Sequence, residues 1–222
     1  MLTVHHLNNS RSQRVLWMLE ELGVPYEIKR YERNKKTMLA PPELLKVHPL
    51  GKSPVITDGD LTIAESGAIL EYLVRTYGKG KFAPAENTPE HLRYTYWMHY
   101  AEGTLMPPLV MMLVFNTIEK TPMPFFIKPI AKGISAKVKR SFIQPNLTRN
   151  LDFIESELHK SLWFAGEELT AADVQMSFPL EGAASRGGLD SGRKKTTEFL
   201  ERVHARPAYK TALEKGGPFK LG

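Results

Sequence analysis

Over residues 1–80 the apolar positions change their spacing several times, and from residue 88 onward they keep to a helical one. Leu2-Thr3-Val4-His5-His6-Leu7 is a short strand-forming run. Val15, Leu19 and Leu22 then fall at i, i+4 and i+7, which marks one apolar face of a helix. Gly23 followed by Pro25 stops that helix. Tyr26 to Tyr31 alternates like a half-buried strand, and a weak helix is expected near Pro42 to Val47. Pro54 to Thr57 and Asp60 to Ala64 flank Asp58-Gly59, a strong hairpin signal. Ser66 is suited to N-cap a helix carrying Ile69, Leu70 and Leu73 and running to about Tyr77. The predicted order is β-α-β-α-β-β-α.

Lys79 to Asn87 is polar, contains Gly and Pro, and reads as a linker. Beyond it, Thr88-Pro89-Glu90 supplies a cap, a proline at the first helical position and an acid in the first turn. Helices are expected from His91 to about Leu105, from about Pro145 to Leu158, and from Thr196 to Ala205. Thr170-Ala171-Ala172-Asp173 resembles a capping box and opens a further helix. The pattern predicts an α/β thioredoxin-like N-terminal domain over 1–80, followed by an all-α C-terminal domain over 88–222. The longest apolar stretch, Leu105 to Phe115, is interrupted by Pro107-Pro108. It falls short of the roughly 20 residues that cross a bilayer. With no targeting pattern at Met1 to Val4, a cytoplasmic protein is expected.

The 222 residues include no cysteine. This excludes disulfides, thiolate metal sites and catalysis by a protein thiol. The formal net charge is +6. From Lys120 to Arg149 there are seven basic residues and no acidic one, against 23 basic and 24 acidic residues elsewhere. One segment is basic, not the chain. Its mixture of aromatics and lysines (Met123 to Lys132) admits three readings: a solvated helical insert beside the active site that draws in an anionic cosubstrate, a peripheral membrane contact through 120–149, or nucleic-acid binding. The first is preferred and nucleic acid is not expected.

Three local patterns carry chemistry. Asn8 to Arg14 joins the first strand to the first helix, where N–H groups and the helix dipole favour an anion. A thiol bound there would ionise more readily than at its usual pKa of about 8.5. Alternatively, Ser10 or Ser12 is simply the helix cap. Pro49-Leu50-Gly51-Lys52-Ser53-Pro54-Val55-Ile56 contains a Ser-Pro bond that could be cis, which would leave the Ser53 backbone free to pair with an extended peptide. Ala64-Glu65-Ser66-Gly67-Ala68-Ile69 sets a carboxylate and a hydroxyl beside free helix N–H groups.

Taken together in this order, the three resemble the N-terminal domain of cytosolic glutathione transferases. Leu169 to Asp173 and Arg206-Pro207-Ala208-Tyr209-Lys210 are similar to segments of that family's helical domain. The start Asn-Ser-Arg-Ser-Gln-Arg-Val-Leu-Trp looks most like a fungal and bacterial branch.

The resemblance implies conjugation of glutathione, through its thiolate, to small hydrophobic electrophiles. The cosubstrate is glutathione, no other cofactor or metal is implied, and a homodimer is expected. Ser10 stands four residues before Arg14, as the active hydroxyl does in serine-type members, and Asn9 is the alternative donor. Ser12 occupies a slot that is proline in many such members. No tyrosine lies near His6, where tyrosine-type members carry theirs. Arg11, Ser12, Lys52, Ser53, Pro54, Glu65 and Ser66 are the implied glutathione residues, with Lys35 or Lys36 as further cations. Met106, Met111, Met112 and Phe115 are candidates for the electrophile pocket, or for simple core packing. Tyr96, His99 and Tyr100 could also reach the cleft. A glutathione-dependent disulfide reductase and a non-catalytic binding or adaptor protein on the same fold remain alternatives.

Overall fold

A computed structural model describes residues 1–185, 189 and 192–219 of the chain. Strands β1 (Leu2–Leu7), β2 (Glu27–Tyr31), β3 (Val55–Asp58) and β4 (Leu61–Ala64) form one sheet in the order β2-β1-β3-β4. β1 runs parallel to β2 and antiparallel to β3, and β3 and β4 are the hairpin expected around Asp58-Gly59. A parallel pair needs a crossover. Helix α1 (Ser12–Leu22) supplies it and ends on Gly23 in the left-handed conformation. Helix α2 (Ser66–Tyr77) follows β4. Val4 and Ile56 of the sheet, Leu16 and Leu19 of α1, and Ile69 and Leu70 of α2 are all fully buried in one core. Each such side chain contributes about 1.5–3 kcal/mol through burial. The weak helix near Pro42 is a 3-10 turn, Pro42–Lys46, whose Leu44 covers Leu7 and Tyr31 as a small separate cluster.

Among the described residues beyond α2 the main elements are helices: α3 (Pro89–Tyr100), α4 (Met106–Lys120), α5 (Lys128–Val138), α6 (Gln144–Leu158), α7 (Ala171–Ser185), α8 (Lys194–Ala205) and α9 (Pro207–Gly216). Thr88 caps α3 as expected, its hydroxyl accepting from the His91 N–H at 3.1 Å.

Pro107-Pro108 does not interrupt the apolar stretch. A π turn over Ala101–Leu105 immediately precedes it, with the Met106 N–H bonded to the Ala101 carbonyl. The wider turn absorbs residues that lack an N–H and would crowd the preceding turn. A second π turn, Lys139–Ile143, precedes Pro145 in the same way. Residues 89–120 therefore form one helical run of 32 residues. By length and composition this run could cross a bilayer, with a mean hydropathy of 1.3 in its most apolar window. The core helix of a globular protein meets the same criteria of length and composition. Its Tyr94, Trp97, Met98, Leu105 and Leu109 are buried in the core.

One further element fits the helical insert expected for the basic segment, and another was not anticipated. Helix α5 fills part of the basic segment. Helix α9 packs across α1, where a Cβ at Gly216 would stand 2.7 Å from Leu16 and 2.8 Å from Gln13. Residues 220–222, assigned above to the helical domain, lie outside the described residues.

Candidate active site

The loop after β1 is held by a chain of hydrogen bonds that starts in the C-terminal helix. His6 Nε2 lies 2.9 Å from the Gly216 carbonyl, which can only accept. Burial, with Arg30 assisting, keeps the His6 pKa below its usual value despite that bond, so the ring is neutral. Its Nδ1 is then an acceptor, and the Ser12 hydroxyl at 2.8 Å donates to it. The Ser12 oxygen in turn accepts the Ser10 proton at 2.7 Å. Ser10 Oγ also accepts from the Ser12 N–H at 3.2 Å, so it satisfies a donor at the start of α1. Both serines are buried, and the one proton of Ser10 points inward. Asn9 beside them adopts φ 47°, the left-handed region that Asn tolerates better than most residues.

Arg11 leaves this loop in another direction. Its Nε donates to both oxygens of Glu102 at 3.1 Å. Glu102 lies in the first π turn, and its Oε1 also accepts from the buried Arg14 guanidinium at 2.6 Å. Arg14 Nη1 donates to the Gln175 carbonyl of α7 at 2.7 Å. Burial disfavours the Glu102 charge, but Arg14 and Arg11 more than offset it and hold the pKa below the usual carboxylate value. Burial lowers Arg14 to about 10, so it stays cationic at neutral pH. Three charges thus join α1 to the helical domain. Both guanidinium groups stand 5.2 Å from the ring centre of Phe178, against which Phe219 packs.

The Ser53–Pro54 bond is cis. The Ser53 hydroxyl donates to the His5 carbonyl at 2.8 Å and accepts from the Leu7 N–H at 3.3 Å, which pins the loop to β1. At the β4–α2 junction the expected cap is displaced by one residue. Glu65 is the N-cap, with no side-chain hydrogen bond to the helix, and Ser66 is the buried first helical residue. Glu65 has φ 72° and ψ 123°, a strained backbone for a residue with a side chain.

These elements enclose a cleft of about 230 Å³ lined by Arg11, His48, Leu50, Lys52, Ser53, Pro54, Ala64, Glu65, Ser66 and Glu102. It brings together two cations, two carboxylates, the Ser53 backbone and a helix N-terminus. Such a set suits a ligand with carboxylates, an ammonium group and an extended peptide backbone. Of the residues named from the sequence, Arg11, Lys52, Ser53, Pro54, Glu65 and Ser66 line it; Ser10 and Asn9 lie in the loop that carries Arg11, and Ser12 opens α1. Lys35 and Lys36 sit on an exposed turn fastened by the Asn34 side chain and do not line the cleft.

Met106 is buried in the core, and Met111, Met112 and Phe115 pack half-buried against it. None of these four lines this cleft. Tyr100 is buried and donates to Asn150 at 2.5 Å, whereas Tyr96 and His99 are exposed. Glu102 and His48 line the cleft but were missed from the sequence. Glu102 lies far along the chain in an unremarkable stretch of helix, and no local spacing signals it.

A model of the glutathione S-transferase N-terminal domain matches residues 1–75, and one of the C-terminal domain matches residues 115–207. Glutathione S-transferase 3 of Schizosaccharomyces pombe is 40% identical, covering 97% of this chain and 88% of its own. Glutathione S-transferase 1 of Saccharomyces cerevisiae is 30% identical, covering 97% and 95%. A solved glutathione S-transferase from Actinobacillus pleuropneumoniae, 32% identical, matches with a TM-score of 0.76 over 100% of this chain and 94% of that one. Both domain matches and identity of this size along nearly the whole length mean that the chain belongs to the glutathione S-transferase family.

Proposed function

We propose that the cleft binds glutathione and that the enzyme joins the glutathione thiolate to small hydrophobic electrophiles. The observation that carries this reading is the convergence of Lys52, Ser53, Glu65 and Ser66 with Arg11 and Glu102 in one cleft. Ser53 pairs through its backbone with the cysteinyl unit. The open N-terminus of α2, with Ser66, holds the γ-glutamyl carboxylate, and Glu65 and Glu102 face its ammonium group. Lys52 faces the glycine carboxylate. The sulfur attacks the electrophilic carbon, a C–S bond forms, and any leaving group departs with its electron pair. The thiol proton passes to solvent.

The proton order in the first loop bears on what meets the sulfur. Ser10 gives its proton to Ser12, so Ser10 shapes the loop, Asn9 donates to the thiolate, and Arg11 adds positive charge. On the electrophile side, the half-buried Met111 and Phe115 supply apolar surface, and Phe178 and Phe219 add an apolar pair beside Arg11. No metal or further cofactor is proposed. The two units divide within 79–87, and the enzyme works in the cytosol. Copies of the chain pair as a homodimer, a reading supported by the exposed Leu61, Leu92 and Tyr96.

The test is conjugation of glutathione to an aryl halide, run with Asn9→Ala and Ser10→Ala in parallel. A loss of about tenfold or more in Asn9→Ala, equivalent to one hydrogen bond to a charged sulfur, with a smaller loss in Ser10→Ala, supports the assignment. The reverse order returns the role to Ser10. Faster turnover of a small disulfide than of any electrophile selects disulfide reduction. Turnover of neither, with no retention on immobilised glutathione, leaves a binding protein.

A further inference from the structure

The α4–α5 hairpin carries an apolar surface that the fold leaves uncovered. At its tip Phe125 is 86% exposed and Phe126 is 64% exposed, their rings packed edge to face at 5.5 Å. Ile130 and Ile134 of α5 are 63% and 59% exposed. Ile130 and Ile134 are four apart and share one stripe along α5, and Phe126 lies in the turn that leads into it. The only buried residue of α5 is Ser135. An amphipathic helix normally turns its apolar stripe to the core, whereas this one presents large apolar side chains to the outside. Exposed apolar surface of this kind marks an interaction site.

The charge around it selects the partner. Lys120, Lys128, Lys132, Lys137 and Arg140 are exposed, and residues 120–149 contain no acid. Glu119, at the end of α4, is bound by Lys139 at 2.7 Å, with Lys132 adding to the pull that lowers its pKa. A second copy of this chain would bring the same cations against these and be repelled. Nucleic acid would satisfy the lysines but leave Phe126, Ile130 and Ile134 in water. A membrane surface with acidic headgroups meets both needs: apolar side chains enter the headgroup–acyl boundary while lysines stay at the charged plane.

We propose that the α4–α5 hairpin is a peripheral attachment site for membranes containing anionic lipid, with Phe125 and Phe126 as the wedge and Ile130 and Ile134 behind it. The surface is separate from the cleft, and the inference does not depend on the substrate reading.

The test is sedimentation of the full-length protein with vesicles of phosphatidylcholine alone or mixed with phosphatidylserine. Binding is expected to the mixed vesicles and to fall as salt is raised. Phe125→Ser/Phe126→Ser/Ile130→Ser should weaken it at least about tenfold, and Lys128→Glu/Lys132→Glu/Lys137→Glu by a similar factor or more. Glutathione binding should be unchanged in both variants, which also checks that they fold. If the serine variant fails that check, the glutamate variant alone decides. No binding of the wild type to mixed vesicles would overturn the proposal, as would binding indifferent to both variants. Two other outcomes would also overturn it: a shift of the serine variant from dimer to monomer without lipid, and tight binding of a labelled oligonucleotide that the serine variant keeps.

Discussion

At the start of α7, Asp173 is completely buried and accepts from the Phe164 N–H at 2.7 Å, the Thr170 N–H at 2.8 Å and the Thr170 hydroxyl at 2.9 Å. At the start of α2, Glu65 sits in a strained left-handed conformation and makes no cap, and the helix N-terminus opens into the cleft. Both junctions pair a hydroxyl with a carboxylate, and both read from the sequence as capping signals. One is closed by the chain itself and serves folding. The other is left for a ligand to close, and the strain at Glu65 marks where the backbone gives up local comfort for access. The start of α1 lies between them: Ser10 satisfies the Ser12 N–H, yet Arg11 still points into the cleft.

The largest expected effect tests the closed start. Asp173→Ala leaves two buried N–H groups unpaired and should cost about 3 kcal/mol, read as a lower urea midpoint with turnover per folded molecule intact. A cost under about 1 kcal/mol would erase the contrast between the two junctions.

Next is Glu102→Gln, which strips the buried Arg14 of its counter-charge. Glu102 is partly exposed, so a cost of about 2 kcal/mol is expected, below that of a fully buried pair. It should come with a raised KM for glutathione. Lost stability without a change in KM would make Glu102 a strut between the domains and nothing more.

Ser66→Ala tests the open start. Stability should stay within about 0.5 kcal/mol, while the KM for glutathione rises severalfold. A stability loss as large as that of Asp173→Ala would mean that α2 is capped for folding after all.

The smallest effect concerns the relay behind Ser10. The folded His6 has a pKa below 6.5 because it is buried, while the unfolded chain takes up its proton near 6.5. The stability this contributes is present above about pH 6.5 and is lost as pH falls toward the folded value. His5 shifts in the same direction through burial and Lys29, and His204 in the opposite one through its bond to Glu181. The comparison is therefore between variants: His6→Gln should flatten the acid limb of the stability curve by about 1 kcal/mol or less. An unchanged limb would remove His6 from the relay.

The features legible in the sequence are those made by neighbours along the chain. The Asp58-Gly59 hairpin, the stop at Gly23, the Thr88 cap and the Thr170–Asp173 box each need only a few adjacent residues, so their spacing reveals them. Ser53-Pro54 and Glu65-Ser66, which line the candidate cleft, stood out in the sequence for the same reason. The π turns were not, because the sequence shows a proline but not the widened turn that carries a helix through it. Nor was α9, although Pro207 at its first position was the available signal.

Taken alone, the sequence determined the order of elements over residues 1–80, the lack of any protein thiol, and the position of the basic segment. These follow from composition and from contacts only a few residues long. The tertiary structure alone decided that Glu102 meets Arg11 and Arg14 across 91 and 88 residues of chain. It also decided that His6 links the Gly216 carbonyl to Ser12 and Ser10, and that the apolar stripe of α5 faces outward. Such pairings depend on where packed elements put their side chains in space, and one-dimensional spacing carries no record of that.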